Sequence, residues 1–154
     1  MAFLDSMNIA ASGLTAQKTR LNIISENITN MDTTRTENGD GPYRRKLTVF
    51  ESTESSEFKS MLNRRMTSSR RGKNVVNSEA GVKVKEIIDD ESEFKKVYEP
   101  ENPDADADGY VLYPNVDLIK ETTDAMAATR AYQANITALN SMKDMAVAAL
   151  EIGR

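Results

Sequence analysis

The run "LDSMNIAASGLTAQKTRLNIISENI", residues 4–28, decides the fold. Leu4, Met7, Ala11, Leu14, Lys18, Leu21, Ser25 and Ile28 succeed one another in steps of three and four, and six of the eight are apolar. That spacing lines one face of a helix, and the alternation of threes and fours is the heptad seam by which helices pair. Asp5 or Ser6 can accept a free backbone amide at a helix start, so the helix is expected to run from there to about Asn30.

The same steps return at the other end of the chain. Leu118, Thr122, Ala125, Thr129, Tyr132, Ile136, Leu139, Lys143, Ala146 and Leu150 make a second seam, widened by Met126, Met142, Met145 and Ala149. Asn115 after Pro114 is the expected cap and Gly153 the expected end, which gives roughly 35 residues, or about 50 Å of helix. Alanine and threonine dominate this seam, whereas only a large apolar side chain contributes about 1.5–3 kcal/mol on burial. One antiparallel pairing of the two ends is therefore expected to be marginal, and further copies packed around them to supply the missing burial.

Between the ends the period changes. "YRRKLTVF", "GVKVKEII", "EFKKVY" and "GYVLY" are rich in β-formers, which predicts a small, mostly antiparallel β unit with an open edge. Asn38, Gly39, Asp40, Gly41 and Pro42 form a turn cluster. The segment from Ser52 to Ser78 has serine and charge but few large apolar residues, and is expected to be a mobile loop. The expected fold class is α+β: residues 1–32 and 114–154 form a coiled-coil-like helical assembly domain, and 33–113 a β-rich middle region.

Charge is divided along the chain. Between Arg35 and Lys73 ten basic residues face five acids, a net +5, while between Glu86 and Asp108 ten acids face two lysines, a net −8. Such asymmetry can guide one copy onto another. The basic run "RRMTSSRRGK" has no interleaved aromatic residue and fits no nucleic-acid module, so no nucleic-acid partner is expected.

Histidine and cysteine are both absent, which removes the commonest general base, the commonest zinc ligands and all thiolate chemistry. No nucleophile elbow or phosphate loop replaces them, so no enzyme, cofactor or small-molecule substrate is expected. The start, "MAFLDSMNIAASGL", lacks the basic and apolar regions of a secretory signal, and no window reaches the eighteen or so apolar residues of a membrane span.

One stretch, "ENPDADADGYVLYPNV", imitates a calcium loop, with Asp104, Asp106 and Asp108 two apart and Gly109 following. The twelfth position from Asp104 is Asn115, which cannot supply the bidentate carboxylate, and Pro100 and Pro103 forbid an entering helix. A solvated turn is expected, in which the aspartates accept from nearby backbone amides. On the residues alone two further readings stay open: a calcium-regulated module, and a soluble helical adaptor or chaperone-like binding module using Met126, Met142 and Met145.

The run "AASGLTAQKTRLNIISENITNMDT" resembles the signature of the bacterial flagellar axial family of rod, hook and hook-junction proteins. Ser12, Gly13, Leu14, Ala16, Gln17, Leu21, Asn27, Ile28 and Asn30 occupy the family positions, with Thr29 where alanine is usual. The last forty residues resemble the family's closing helix, with Asn115, Val116, Asp117, Glu121, Arg130, Tyr132, Asn135 and Leu139 in register and Thr122 and Thr123 replacing bulkier apolar residues. Within the family, "VYEPENPDADADGYVLYPNVD", "PYRRKLTVF" and the Ile-Gly-Arg ending are similar to a proximal rod member. The resemblance implies a structural subunit, exported through the flagellar type III channel without signal cleavage, that polymerises in the periplasmic rod of the basal body. Its implied partners are copies of itself and other rod proteins, with the membrane-ring base and export gate nearby. The motif residues are then expected to serve assembly.

Overall fold

The computed structural model describes residues 2–36, 41–53 and 81–152. Most of the loop expected over Ser52–Ser78 lies outside them, as do Asn38–Asp40 of the turn cluster and the expected helix end at Gly153. Helix α1 spans Ala2–Thr29 and helix α2 spans Leu118–Ile152. Between them come β1 (Lys46–Ser52), β2 (Val82–Asp89), β3 (Lys95–Tyr98) and β4 (Tyr110–Tyr113).

Both expected caps are corrected. Helix α1 is already under way at Ala2, so Asp5 lies inside its first turn, where a carboxylate favours the positive end of the helix dipole. In α2 the cap is Asp117, whose Oδ1 accepts the Ile119 N–H at 3.0 Å. Asn115 is occupied elsewhere: its Oδ1 accepts the Arg45 N–H at 2.8 Å, and its Nδ2 donates to the Asp90 carbonyl at 3.0 Å and Ser92 Oγ at 2.8 Å.

The β region forms two separate antiparallel ribbons, β1–β2 and β3–β4. In the first, Val49 pairs with Glu86 and Phe50 with Val84, leaving Lys85 as a bulge without an opposite residue. Helix α1 holds this ribbon at two points. Ser12 Oγ accepts the Val82 N–H at 3.0 Å, and Asn27 Oδ1 accepts the Lys46 N–H at 3.0 Å while its Nδ2 donates to the Lys46 carbonyl at 2.9 Å. In the second ribbon Gly109, at φ +80°, turns the chain into β4 and lies so close to the Tyr98 ring that a Cβ would come within 3.0 Å.

The helices run antiparallel. Gly13 faces Asn135, Arg20 pairs with Asp124 at 3.2 Å, and Asn27 Nδ2 donates to Glu121 Oε2 at 3.1 Å. Among the described residues only eight apolar residues are buried, three of them alanine, against sixteen large apolar residues left exposed. So small an interior leaves a narrow margin over the ordering of two long helices.

Candidate assembly surface

Where the helices meet the first ribbon, the interior is polar. Glu121 and Asn27 are each 1% exposed and Arg45 is 6% exposed. Arg45 Nε donates to Glu121 Oε1 at 2.7 Å, a second guanidinium nitrogen reaches the same oxygen at 2.6 Å, and a third meets Asp90 Oδ2 at 3.3 Å. Burial opposes the charge of Arg45, but the hydrogen bond and charge of Glu121, followed by those of Asp90, outweigh it and hold the guanidinium pKa above its ordinary value. The Ser92 N–H and hydroxyl are the main reason Asp90 is held below the ordinary carboxylate value, with Arg45 adding to them. This knot joins α1, the residues before β1, the end of β2 and the start of α2.

Tyr43 closes it, donating its hydroxyl to Asn27 Oδ1 at 2.9 Å. Burial, then the charges of Glu26, Asp89 and Glu121, raise its pKa above the ordinary phenol value. A phenol with a raised folded pKa contributes stability that is present below about pH 10 and is lost as pH climbs toward the folded value. Alkaline unfolding should therefore steepen above about pH 10, and Tyr43→Phe should remove that extra slope. Melting temperatures of the two proteins between pH 8 and 11 check it.

The helix surfaces carry the main correction. None of the eight residues of the expected α1 seam is buried; Leu4 is 55% exposed and Leu14, Leu21 and Ile28 are half-buried. The face turned to α2 is Ala10, Gly13, Gln17, Arg20, Ile24 and Asn27, each one position earlier. In α2 the buried positions are Glu121 and Ala128, again one before Thr122 and Thr129 of the expected seam, while further along Ala131 and Tyr132, and Ala138 and Leu139, are equally half-buried. One residue is about 100° of rotation. Apart from Ile24, the helices thus close mainly on small and polar residues, leaving Leu118, Ile136 and Leu150 of the apolar seam exposed, with Ile119, Met126, Met145 and Val147 beside them.

Glycine sets the closeness of that contact. A Cβ on Gly13 would lie 2.8 Å from Asn135 Nδ2, the end of a side chain that can swing aside. Gly13→Ala should be nearly neutral, the contact offset by about 1 kcal/mol of helix propensity. Gly13→Val should cost about 1–3 kcal/mol by pushing the backbones apart. Urea unfolding of both variants measures the difference.

Two aspartates of the acidic turn are taken up by neighbouring groups. Asp104 Oδ2 accepts the Thr34 hydroxyl at 2.8 Å, Arg35 approaches it at 3.9 Å, and Asp106 Oδ1 accepts the Ala107 N–H at 2.9 Å. Only Asp106 behaves as the expected amide acceptor, because Asp104 is drawn across to the segment following α1. Among the described residues no group of three or more acids is gathered to hold a metal ion.

The motif residues divide into two sets. Ser12, Gly13, Asn27, Asn30, Asn115, Val116, Asp117 and Asn135 are used inside the subunit: Asn30 Nδ2 donates to the Glu26 carbonyl at the end of α1, and the buried Val116 gives its carbonyl to Lys95 Nζ at 2.7 Å. Leu14, Leu21, Ile28, Tyr132 and Leu139 are half-buried on the outward stripes, and Arg130 is exposed. Gln17 is half-buried, and its Oε1 is enclosed without a hydrogen-bond partner. The buried Arg45 was not anticipated; the matched opposite charges of Arg20 and Asp124, one position off the apolar seams, were the available signal for a polar inner face.

The described chain thus begins and ends in a long helix, and both helices leave apolar side chains uncovered. Residues 7–35 match the family described as flagella basal body rod protein, and residues 107–152 match the family described as flagellar basal body rod FlgEFG protein C-terminal. Over its whole length the chain is 46% identical to the flagellar basal-body rod protein FlgC of Bacillus subtilis and 38% identical to that of Escherichia coli O6:H1, all of each relative being covered. It is 40% identical to FlgC of Borreliella burgdorferi, over 99% of this chain and 98% of the relative. The chain belongs to the FlgC family of flagellar basal-body rod proteins and is a structural subunit of the flagellar rod. The adaptor reading is set aside. Among the described residues no helix is long and apolar enough to cross a membrane.

Proposed function

We propose that the chain is a proximal-rod subunit that polymerises through the outward stripes of α1 and α2, residues 1–32 and 114–154 acting as the assembly domain. The observation that supports this reading is the apolar surface both helices leave uncovered: no residue of the α1 seam is buried, and Leu118, Ile119, Met126, Ile136, Met145 and Leu150 of α2 are exposed. A subunit whose helices are joined by polar pairs keeps its apolar surface for neighbours, and each added copy covers what the previous one exposes. Leu14, Leu21, Ile28, Tyr132 and Leu139 meet neighbouring copies or other rod proteins, while Gly13, Asn27, Asn115 and Asn135 set the angle at which those stripes are presented.

The membrane-ring base and the export gate are the neighbours at the point of assembly, reached by export without a cleaved signal. Torque passes through many lateral helix contacts, with no catalytic step. A small apolar interior and the absence of disulfides suit a chain that travels unfolded and gains order in the polymer. Hydrogen exchange on the free subunit and on assembled rods tests it. Protection should rise along α1 and α2 on assembly; helices already fully protected in a monomer that stays monomeric at high concentration would overturn it.

A further inference from the structure

The β3–β4 hairpin presents a second unpartnered face, away from the helices. Tyr98, Tyr110 and Leu112 are 63%, 47% and 40% exposed, and the two tyrosine rings meet edge to face with centroids 5.3 Å apart. Beside them lies an open cleft of about 360 Å³ lined in part by Pro42, Pro103, Asp104 and Asp106. The ladder explains its position. Glu99 N–H donates to the Gly109 carbonyl, so by alternation Val97–Val111 is the next bonded pair and the backbone groups of Leu112 point away from β3, on the cleft side.

We propose that this face receives the arginine-rich run Arg64–Lys73 of a second copy of the chain, a contact that rests on the polymerising-subunit reading and adds a second, outer bond between copies. The run holds four arginines and a lysine with no acid among its ten residues. Its counterpart is the region from Glu86 to Asp108, net −8, whose loop lines the cleft. Guanidinium groups stack on exposed tyrosine faces and pair with carboxylates, and the short polar residues Thr67, Ser68 and Ser69 can follow a free strand edge.

Reach decides between the chain's own run and a neighbour's. Thr53 N–H donates to the Gly81 carbonyl at 2.7 Å, and Gly81 packs against Ser12, so the intervening segment leaves and re-enters the fold beside Ser12. From there to the end of α1 is about 26 Å, and the cleft lies further on, at Thr34 and Arg35. The eight residues from Lys73 to Gly81 span at most about 28 Å when fully extended. A chain laying the whole run in its own cleft would be drawn taut at the Lys73 end, whereas a neighbour displaced along a polymer axis brings the run to the cleft without that constraint.

Charge exchange between copies tests the contact. One full-length variant carries Arg70→Glu and Arg71→Glu, the other Asp106→Lys and Asp108→Lys, and circular dichroism monitors the fold of both. Sedimentation should show each variant alone assembling about tenfold less readily than the parent, with the defect of an equal mixture largely repaired, because each acidic run then meets a basic cleft. Rescue only when all four changes sit in one chain, with no rescue by mixing, would place the run in its own cleft and overturn the proposal. Unaltered assembly of both variants would also overturn it while leaving the helix-driven reading intact; failure of the parent chain to assemble at all would instead fall on that reading.

Discussion

Replacing Arg45 with methionine should cost about 3–5 kcal/mol, because it leaves Glu121 charged, buried and short of its principal partner. Domains of this size have about 5–15 kcal/mol in all, and this one, with few buried apolar residues, has little reserve. The isolated subunit should therefore lose its cooperative urea transition or show it at a much lower midpoint. Arg45→Met combined with Glu121→Leu should recover much of the loss, since removing both charges also removes the desolvation that the pair had to overcome. A single variant within about 1 kcal/mol of the parent would mean that the knot is hydrated and contributes little.

The second large effect falls on assembly and spares the fold. Leu4 and Leu150 are 55% and 76% exposed, so Leu4→Glu with Leu150→Glu should change subunit stability by no more than about 0.5 kcal/mol per site. On the proposed assembly each such leucine is buried in every copy, and losing about 1.5–3 kcal/mol per contact should raise the concentration needed for assembly by at least about tenfold. Sedimentation reads the defect directly, and cells carrying the variant should fail to build rods. The contrast is Ile24→Glu, on the buried inner face, which should unfold the subunit instead. Normal assembly by the Leu4/Leu150 variant would show that the outward stripes are not the contact.

Periodicity located both helices and all four strands, because apolar spacing and β-branched runs are local properties. It did not locate the inner face of the helix pair. Counting apolar residues favours Leu14, Leu21 and Leu139, yet the side turned inward is chosen by Gly13 against Asn135, by the ion pair Arg20–Asp124 and by the hydrogen bond from Asn27 to Glu121, none of which scores as apolar. On the proposed assembly, the seam would serve a different partner. The knot was hidden for a related reason: Arg45 stands in a run read as strand, where a charge is expected to point to water, and only the tertiary meeting with Glu121 and Asp90 shows otherwise. Asn115 was legible as a motif residue but not in its role, since a cap two residues later, Asp117, freed its side chain to bridge Arg45 and Asp90.

The bulge at Lys85 bears on how such a polymer stays orderly. Among the described residues strand β2 is the margin of a two-stranded ribbon, and its exposed Val82, Ile87 and Ile88 would otherwise invite a neighbouring strand to zip on in any register. The unpaired lysine breaks the straight row of backbone donors and acceptors at its middle and sets a cation there. On the proposed assembly, copies crowded at a growing tip could then brush ribbon against ribbon without sticking, and would be left free to find the helical berth.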